Sequence, residues 1–448
     1  MTAGESSADE GPVYYLISDL HIGGDEQLEH VDFLDELLEF LRTLEETDED
    51  AELIVNGDAF GLWEFTEVEG IEKFDALLEG YPELFEQLRA TGENVRITLI
   101  PGNHDYELAA YDEYVERLAA YNVVLEQEEA ITREVGDRSV WIEHGMQHDP
   151  NNRVEDFGNP YANPLGYHVN RHITSRAGQL SDLGRYNWLK DIQAVSPTDR
   201  IPMWIISKYF YREMHPALRY AAIPFLLLFE LSVLSVFLLL LDLSGIWSLP
   251  VAVATDLIER LGLIGSAIHG LLAVNLVVVA LLLLVAIPLY LFARDVRTTL
   301  DRFGIVRANE PSNPNEPYVE AAREVFESSP ETAAFVYGHT HRPAVSEVDD
   351  RAVINTGTWL KRLHRHEVIF GLLPPVFYPS FRLNYVRISE VDGGVAVDYR
   401  VIDKPSPVKE ELTLTERLLT YDKRIEGDVP ERVVIDADVR VSEGDERV

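Results

Sequence analysis

The sequence predicts an α/β layered fold interrupted by a two-helix membrane hairpin. Two patterns predict it. Short β-rich runs alternate with helix-spaced leucines over residues 13–149, and two long aliphatic runs follow, the second free of Asp, Glu, Lys and Arg from Leu261 to Ala293. Strand–helix alternation argues for a layered sheet, and a spanning helix needs about 20 apolar residues.

The first run, VYYLIS (13–18), precedes Leu28, Val31, Leu34, Leu37, Leu38, Leu41 and Leu44, whose three- and four-residue spacing sets them on one helix face. AELIVN (51–56), VRITLI (95–100) and SVWIEH (139–144) read as further strands. After about residue 150 come a loop-like stretch and an aromatic one, MWIISKYFYREMHPALRY (203–220). Tyr220–Leu241, 22 residues interrupted only by Glu230, is the first candidate span, and the 33 residues 261–293 are the second. Lys208, Arg212 and Arg219 precede the pair and Arg294, Arg297 and Arg302 follow it. The connector holds Asp242, Asp256, Glu259 and Arg260, so the positive-inside bias puts both termini in the cytoplasm. The expectation is a two-span cell-membrane protein with its catalytic part cytoplasmic. Trp204, Tyr209, Phe210 and Tyr211 are expected along the bilayer interface. Glu230 is costly in lipid and marks a functional position or an interhelical bond to Asn275 or His269. AAFVY (333–337) and RAVIN (351–355) return to strand-like runs, and beyond residue 404 the chain reads as a peripheral acidic tail.

The 77 acidic residues against 38 basic ones give a net charge of −39, only seven of the basic residues are lysine, and there is no cysteine. That combination resembles proteins of extreme halophiles. Disulfides and thiolate metal sites are excluded. No Lys/Arg-rich run suggests a nucleic-acid partner.

The chemistry sits where the strands stop. The strand-like runs end in Asp19-Leu20-His21, Gly57-Asp58, Gly102-Asn103-His104-Asp105, His144-Gly145 and Gly338-His339-Thr340-His341. Strand carboxyl ends are where open α/β sheets build their sites. Carboxylate and imidazole ligands suit Mn²⁺, Fe²⁺ or Zn²⁺, and manganese is the expected ion. Asp19, His21, Asp58, Asn103, His144, His339 and His341 are too many for one ion. They suit two that share a carboxylate, roughly 3.5–4 Å apart. His148, His168 and His172 are candidates for a substrate cleft, whereas His364 and His366 read as surface residues.

The blocks D-x-H, G-D, G-N-H-D, H-G and G-H-x-H, in this order, resemble the calcineurin-like metallophosphoesterase superfamily over about residues 12–150 and 330–400. The resemblance implies a four-layer αββα sandwich; its halves, 12–150 and 297–403, would flank a cleft segment, 151–216, and the transmembrane hairpin read from the aliphatic runs, 217–296, with residues 404–448 as the acidic tail. It implies one ion on Asp19, His21, Asp58 and His341, and the other on Asp58, Asn103, His144 and His339. In such a hydrolase a hydroxide bridging two divalent ions attacks phosphorus. His104 would act as general acid, Asp105 would orient its neighbours and Arg342 would contact a substrate phosphate. Thr356 and Thr358 of INTGTW are expected near the site.

GDAFGLWEF (57–65) lacks the G-D-x-x-D-R-G block of protein Ser/Thr phosphatases and is similar to the G-D-x-F-x-x-W region of UDP-2,3-diacylglucosamine pyrophosphatases. Those enzymes cleave a lipid-linked pyrophosphate and receive acyl chains in an apolar insertion after the H-G block, though many carry Arg where this chain has His104. The expected substrate is a lipid-linked phosphate or pyrophosphate at the cytoplasmic leaflet of the bilayer. The alternatives are a membrane-anchored phosphodiesterase of soluble nucleotides and a non-catalytic scaffold, against which the intact ligand set argues.

Overall fold

The computed structural model describes residues 11–436 except 26–29, 180–188, 196–199, most of 221–255, 303–314, 369–370, 372, 392–393 and 421–428. The strands that position the site are β1 (Val13–Ile17), β2 (Ala51–Asn56), β3 (Arg96–Ile100), β4 (Val123–Leu125), β5 (Ala130–Val135), β6 (Arg138–Glu143), β7 (Thr332–Tyr337), β8 (Ala344–Val348) and β9 (Arg351–Asn355). They are followed by β10 (Arg362–Val368), β11 (Leu373–Ser380), β12 (Leu383–Val391), β13 (Gly394–Ile402) and β14 (Arg432–Asp436). One sheet has the order β14-β13-β12-β1-β2-β3-β4, a second β5-β6-β7-β9-β8, and β10–β11 form a separate hairpin. In the first sheet β1 to β4 run parallel, and β12 to β14 extend it antiparallel.

Two-residue periodicity sorts the side chains onto faces. Leu16, Ile54 and Ile100 meet Ile142, Ala334, Val336 and Ile354 of the second sheet in the central core. Ile17, Leu53, Val55, Ile97 and Leu99 point the other way, against helices Leu34–Glu45 and Pro82–Thr91. Across the molecule Phe335, Tyr337 and Val353 pack on Ala322 and Phe326 of helix Glu316–Ser328. The layers are therefore helix, sheet, sheet, helix. Strands covered on both faces read as continuous apolar runs, which is why β2 and β7 are buried throughout.

Trp359 anchors the first helical layer. It is fully buried, lies 5.7 Å from Phe33 and 5.8 Å from Phe40 by ring centroid, and donates Nε1–H to the Asn384 carbonyl at 2.8 Å. Trp359→Ala is expected to cost about 3–5 kcal/mol, read as a lower denaturant midpoint.

Several elements depart from the sequence reading. The first helix begins at Leu34, not near Leu28, which lies outside the described residues; Val31 packs from the preceding turn, and Asp35 and Glu36 suit the helix N-terminus. The acidic 404–448 segment is not wholly peripheral: β14 pairs with β13, and Glu416 is buried between Arg212 at 3.3 Å and Lys208 at 3.9 Å. Its charge offsets buried cations. Trp204, Phe210 and Tyr211 are not interfacial. Helix Ile201–Lys208 and the turn Tyr209–Glu213 bury them against Leu363, Val376, Phe377 and Leu373 of the β10–β11 hairpin, leaving Tyr209 exposed.

The expected two-span hairpin is not supported. Among the described residues no helix is long and apolar enough to cross a membrane. The second aliphatic run falls within helix Leu263–Arg302, but part of that helix's side chains, Glu230 and most of the first run lie outside the described residues.

Candidate metal centre and active site

The loops after β1, β2, β3, β6 and β7 meet at one place. Leu20 and His21 each donate their backbone N–H to the Asp58 carbonyl at 2.9 Å, and Gly338 donates to the His144 carbonyl at 3.0 Å. The His104 N–H reaches Asp58 Oδ1 at 2.7 Å, and the His339 N–H reaches Asp19 Oδ2 at 3.1 Å. Thr358 donates its hydroxyl to the Asp19 carbonyl at 2.8 Å, and Thr356 shares a 2.6 Å hydroxyl contact with Ser18. Asp19, His21, Asp58, His339 and His341 all have φ between 46° and 64°, a left-handed backbone that non-glycine residues adopt at a cost. The strain is concentrated at the residues whose side chains converge.

Among the described residues three groups could hold a metal ion: two share one carboxylate, and His21, Glu64 and His104 form the third. Ligand atoms of Asp19, His21, Asp58 and His341 lie within 4.8 Å of one another, as do those of Asp58, His144 and His339. Asp58 Oδ2 is 3.5 Å from His21 Nε2 and 3.2 Å from His144 Nε2. His341 Nε2 is 3.1 Å from both Asp19 Oδ1 and His21 Nε2. Asn103 Oδ1 stands 3.1 Å from His144 Nε2, whose ring is fixed because Nδ1 donates to the Asn56 carbonyl at 3.1 Å.

The donor set fits two divalent cations. Asp19 Oδ1 is buried without a hydrogen-bond partner, and two imidazole nitrogens face each other beside it. Burial chiefly, with the His104 charge, pushes His21 down to about 3, so it is neutral, the form that binds metal. Burial opposes ionisation of Asp19 and Asp58, yet the surrounding imidazoles hold both below the usual carboxylate range. Burial likewise disfavours charge on His144, but Asp58 and Asp19 draw it up to about 10. The pocket favours positive charge.

His104 stands at the edge of this centre, its ring 4.4 Å from that of His21. Its Nδ1 lies 2.8 Å from Glu64 Oε1, and the Trp63 ring packs on it at 4.5 Å. Burial would lower its pKa, but Glu64 and then Asp58 hold it at about 9. Asn170, from the segment between the two halves, donates to the same Glu64 oxygen at 3.0 Å. Asp105 is buried: it accepts from the Gly102 N–H at 2.6 Å and the Phe60 N–H at 3.2 Å, and burial followed by the Asp58 charge raises it to about 7. It braces the β2 and β3 loops. Arg342 is half-buried beside His341.

The other histidines divide. His148 pairs with Glu143 at 2.7 Å. His168 stacks on His172 and meets Tyr167, which meets Trp63, so a line of rings runs outward from His104. His364 is not an ordinary surface residue: it is half-buried, with Nε2 2.6 Å from Ser380 Oγ and its ring on Tyr378. Sequence reasoning missed Glu64 and also Asp149, whose Oδ2 is 3.1 Å from His339 Nε2 and turns Nδ1 toward the centre. A carboxylate in GDAFGLWEF was the available signal for Glu64.

The glycines beside the ligands are tight. A Cβ on Gly102 would lie 2.2 Å from Asp58 Oδ1. Gly102→Ala should weaken metal binding about tenfold or more, measured as bound metal against free metal in equilibrium dialysis.

Residues 13–215 match the calcineurin-like phosphoesterase family. The match spans somewhat under half of the chain and takes in every candidate ligand except His339 and His341, which β7 delivers to the same centre. Over that stretch the chain is similar to calcineurin-like phosphoesterases, and this likeness, with the ligand groups beside it, supports a metal-dependent phosphoesterase. Solved structures that align with it include a conserved uncharacterized protein from Streptococcus pneumoniae, at 11% identity over 88% of this chain and 91% of that one, with a TM-score of 0.26. Vacuolar Protein Sorting 29 from Cryptosporidium parvum aligns at 12% identity over 88% of this chain and 94% of that one, with a TM-score of 0.27. No curated protein matches the chain.

Proposed function

We propose that the chain hydrolyses a phosphoester or pyrophosphate with two divalent ions, manganese first among them. Asp19, His21, Asp58 and His341 would hold one ion, and Asp58, Asn103, His144 and His339 the other. The observation that carries this reading is the sharing of Asp58 by two ligand groups with His104 beside them. When bound, such ions neutralise phosphoryl oxygens and lower the pKa of water. The chain's own groups do the rest. Protonated His104, oriented by Glu64 and Trp63, donates its Nε2 proton to the leaving oxygen. Asp149 and the Asn56 carbonyl fix the tautomers of His339 and His144. Asp105 keeps the Asp58 and Asn103 loops in register.

For the substrate, we infer a lipid-linked phosphate or pyrophosphate. Leu263, Ile264, Val277, Leu281, Leu284 and Phe292 of helix Leu263–Arg302 are each more than half exposed, and contiguous apolar exposure marks a protein or membrane contact. Residues 151–216 serve as the cleft segment, since Asn170 reaches Glu64.

Both parts are tested with the full chain at high salt. An aryl phosphodiester should be cleaved only with added Mn²⁺ and be spared after chelation. Extracted polar lipids should lose one phosphate- or pyrophosphate-bearing species by mass spectrometry, absent with Asp58→Asn. Metal-independent cleavage would sink the two-ion reading, and untouched lipids with a cleaved aryl ester would move the substrate to soluble nucleotides.

A further inference from the structure

In the segment between the two halves, helix Leu165–Val169, a π-helical turn Asn170–Thr174 and helix Ser175–Gln179 follow one another. Such turns are rare and often sit at functional sites. This one grips the loop after β2. Asn170 donates Nδ2–H to Glu64 Oε1 at 3.0 Å. Arg171, nine-tenths buried, donates to the Phe65 carbonyl at 3.1 Å and pairs with Glu69. Just before the turn, the Tyr167 ring meets that of Trp63 at 5.6 Å. The residues that surround His104 are thus held from the cleft segment.

The Asn170 amide is fixed at both ends. A carboxylate only accepts, so the amide NH₂ faces Glu64, and its oxygen is left to accept from the fully buried Ser175 hydroxyl at 2.9 Å. Glu64 Oε1 thereby takes two donors, Asn170 at 3.0 Å and His104 Nδ1 at 2.8 Å, while Oε2 is buried without a hydrogen-bond partner. The last torsion of a glutamate is broad and roughly two-fold, so the carboxylate can turn and exchange its oxygens. Asn170 opposes that turn and keeps one oxygen on the imidazole.

We propose that Asn170 is a positioning residue of the reaction: it holds Glu64, and Glu64 in turn holds His104 with Nε2 aimed at the leaving oxygen. The proposal rests on the phosphoesterase reading. In that reaction the P–O bond breaks with its electron pair on the leaving oxygen, which takes the Nε2 proton and departs as a neutral alcohol or phenol. Water supplies the oxygen of the new P–O bond, and one of its protons restores His104. Help from a general acid matters more as the leaving oxygen becomes more basic. The cleft segment, through Asn170, therefore sets which leaving groups the chain expels well.

The test has two arms, both on the full chain. In the first, the Mn²⁺-loaded protein is given the phenyl and p-nitrophenyl esters of one nucleoside phosphate. Asn170→Ala should lower kcat for the phenyl ester about ten- to a hundredfold. KM should stay within about twofold, and the loss for the more acidic nitrophenol should be several times smaller. In a His104→Ala background the same substitution should cost less than about twofold, because the group it positions is gone. Ser175→Ala, which frees the amide oxygen, should give the same pattern more weakly and serves if Asn170→Ala misfolds. Equal losses for the two esters, or an undiminished loss in the His104→Ala background, make Asn170 a structural residue and overturn the proposal. The second arm needs no turnover. With diamagnetic Zn²⁺ in place of Mn²⁺ and isotope-labelled histidine, the His104 Nδ1–H proton is followed by NMR and assigned by its loss in His104→Ala. It should shift upfield and broaden in Asn170→Ala, and an unchanged signal overturns the proposal. If the wild type cleaves neither ester, the phosphoesterase reading fails, while the second arm still decides whether Asn170 positions His104.

Discussion

Asp58→Asn should remove metal-dependent hydrolysis, by at least about a thousandfold, and should empty both ion positions together. The substitution preserves shape and hydrogen-bond reach but not charge. Asp58 Oδ2 faces His21 and His144, one from each ligand group, while Oδ1 accepts the His104 N–H. An amide nitrogen in place of Oδ2 offers protons where a lone pair is needed, and the shared negative charge is gone. Elemental analysis of dialysed protein should therefore show both ions depleted. A variant that kept one tightly bound ion would mean that Asp58 is not shared.

His104→Ala should act on the rate and leave the metal in place. Loss of a positioned general acid lowers kcat by about a hundred- to ten-thousandfold, and His104 belongs to neither of the two groups that share Asp58. Its pH behaviour follows from its surroundings. Burial alone would lower the imidazole, but the Glu64 and Asp58 carboxylates hold it at about 9. The acid form then persists through neutral pH, and activity falls as pH rises past about 9. Glu64→Gln removes the leading carboxylate and should move that alkaline limb toward neutrality. The same linkage appears in stability. A histidine raised above its unfolded value of about 6.5 contributes fully below that pH and loses its contribution as pH climbs through the folded value. Melting temperature measured against pH should show a smaller alkaline loss in Glu64→Gln than in the wild type. An unmoved alkaline limb in the rate profile would rule out the pairing.

The parts of the molecule legible in the sequence are those that local pattern determines. The strands β1, β2, β3, β6, β7 and β9 are continuous apolar runs because both of their faces are covered, and each candidate ligand stands directly after a strand or within its loop. Partnerships between distant residues leave no such mark. Glu64 lies 40 residues from His104, and Asp149 lies 190 from His339. Composition misled in two places for one reason. The aromatic residues of 203–220 and the acids beyond residue 404 have partners, the β10–β11 hairpin for the first and Lys208 and Arg212 for Glu416 among the second, that composition does not reveal. The aliphatic runs are plain in the sequence, but what covers them is a question of tertiary and membrane environment that hydropathy leaves open.

The split between the two chain halves governs how the protein comes into being. His339 bonds to Asp19 across 320 residues, and His341 faces His21 across the same gap. During synthesis the early ligands leave the ribosome long before their partners exist, so they wait as an open half-cage of acids and imidazoles. Contacts of such long range close late. An ion held by these ligands would bind only once both halves have met, and its binding energy would then stabilise the whole domain rather than any one loop.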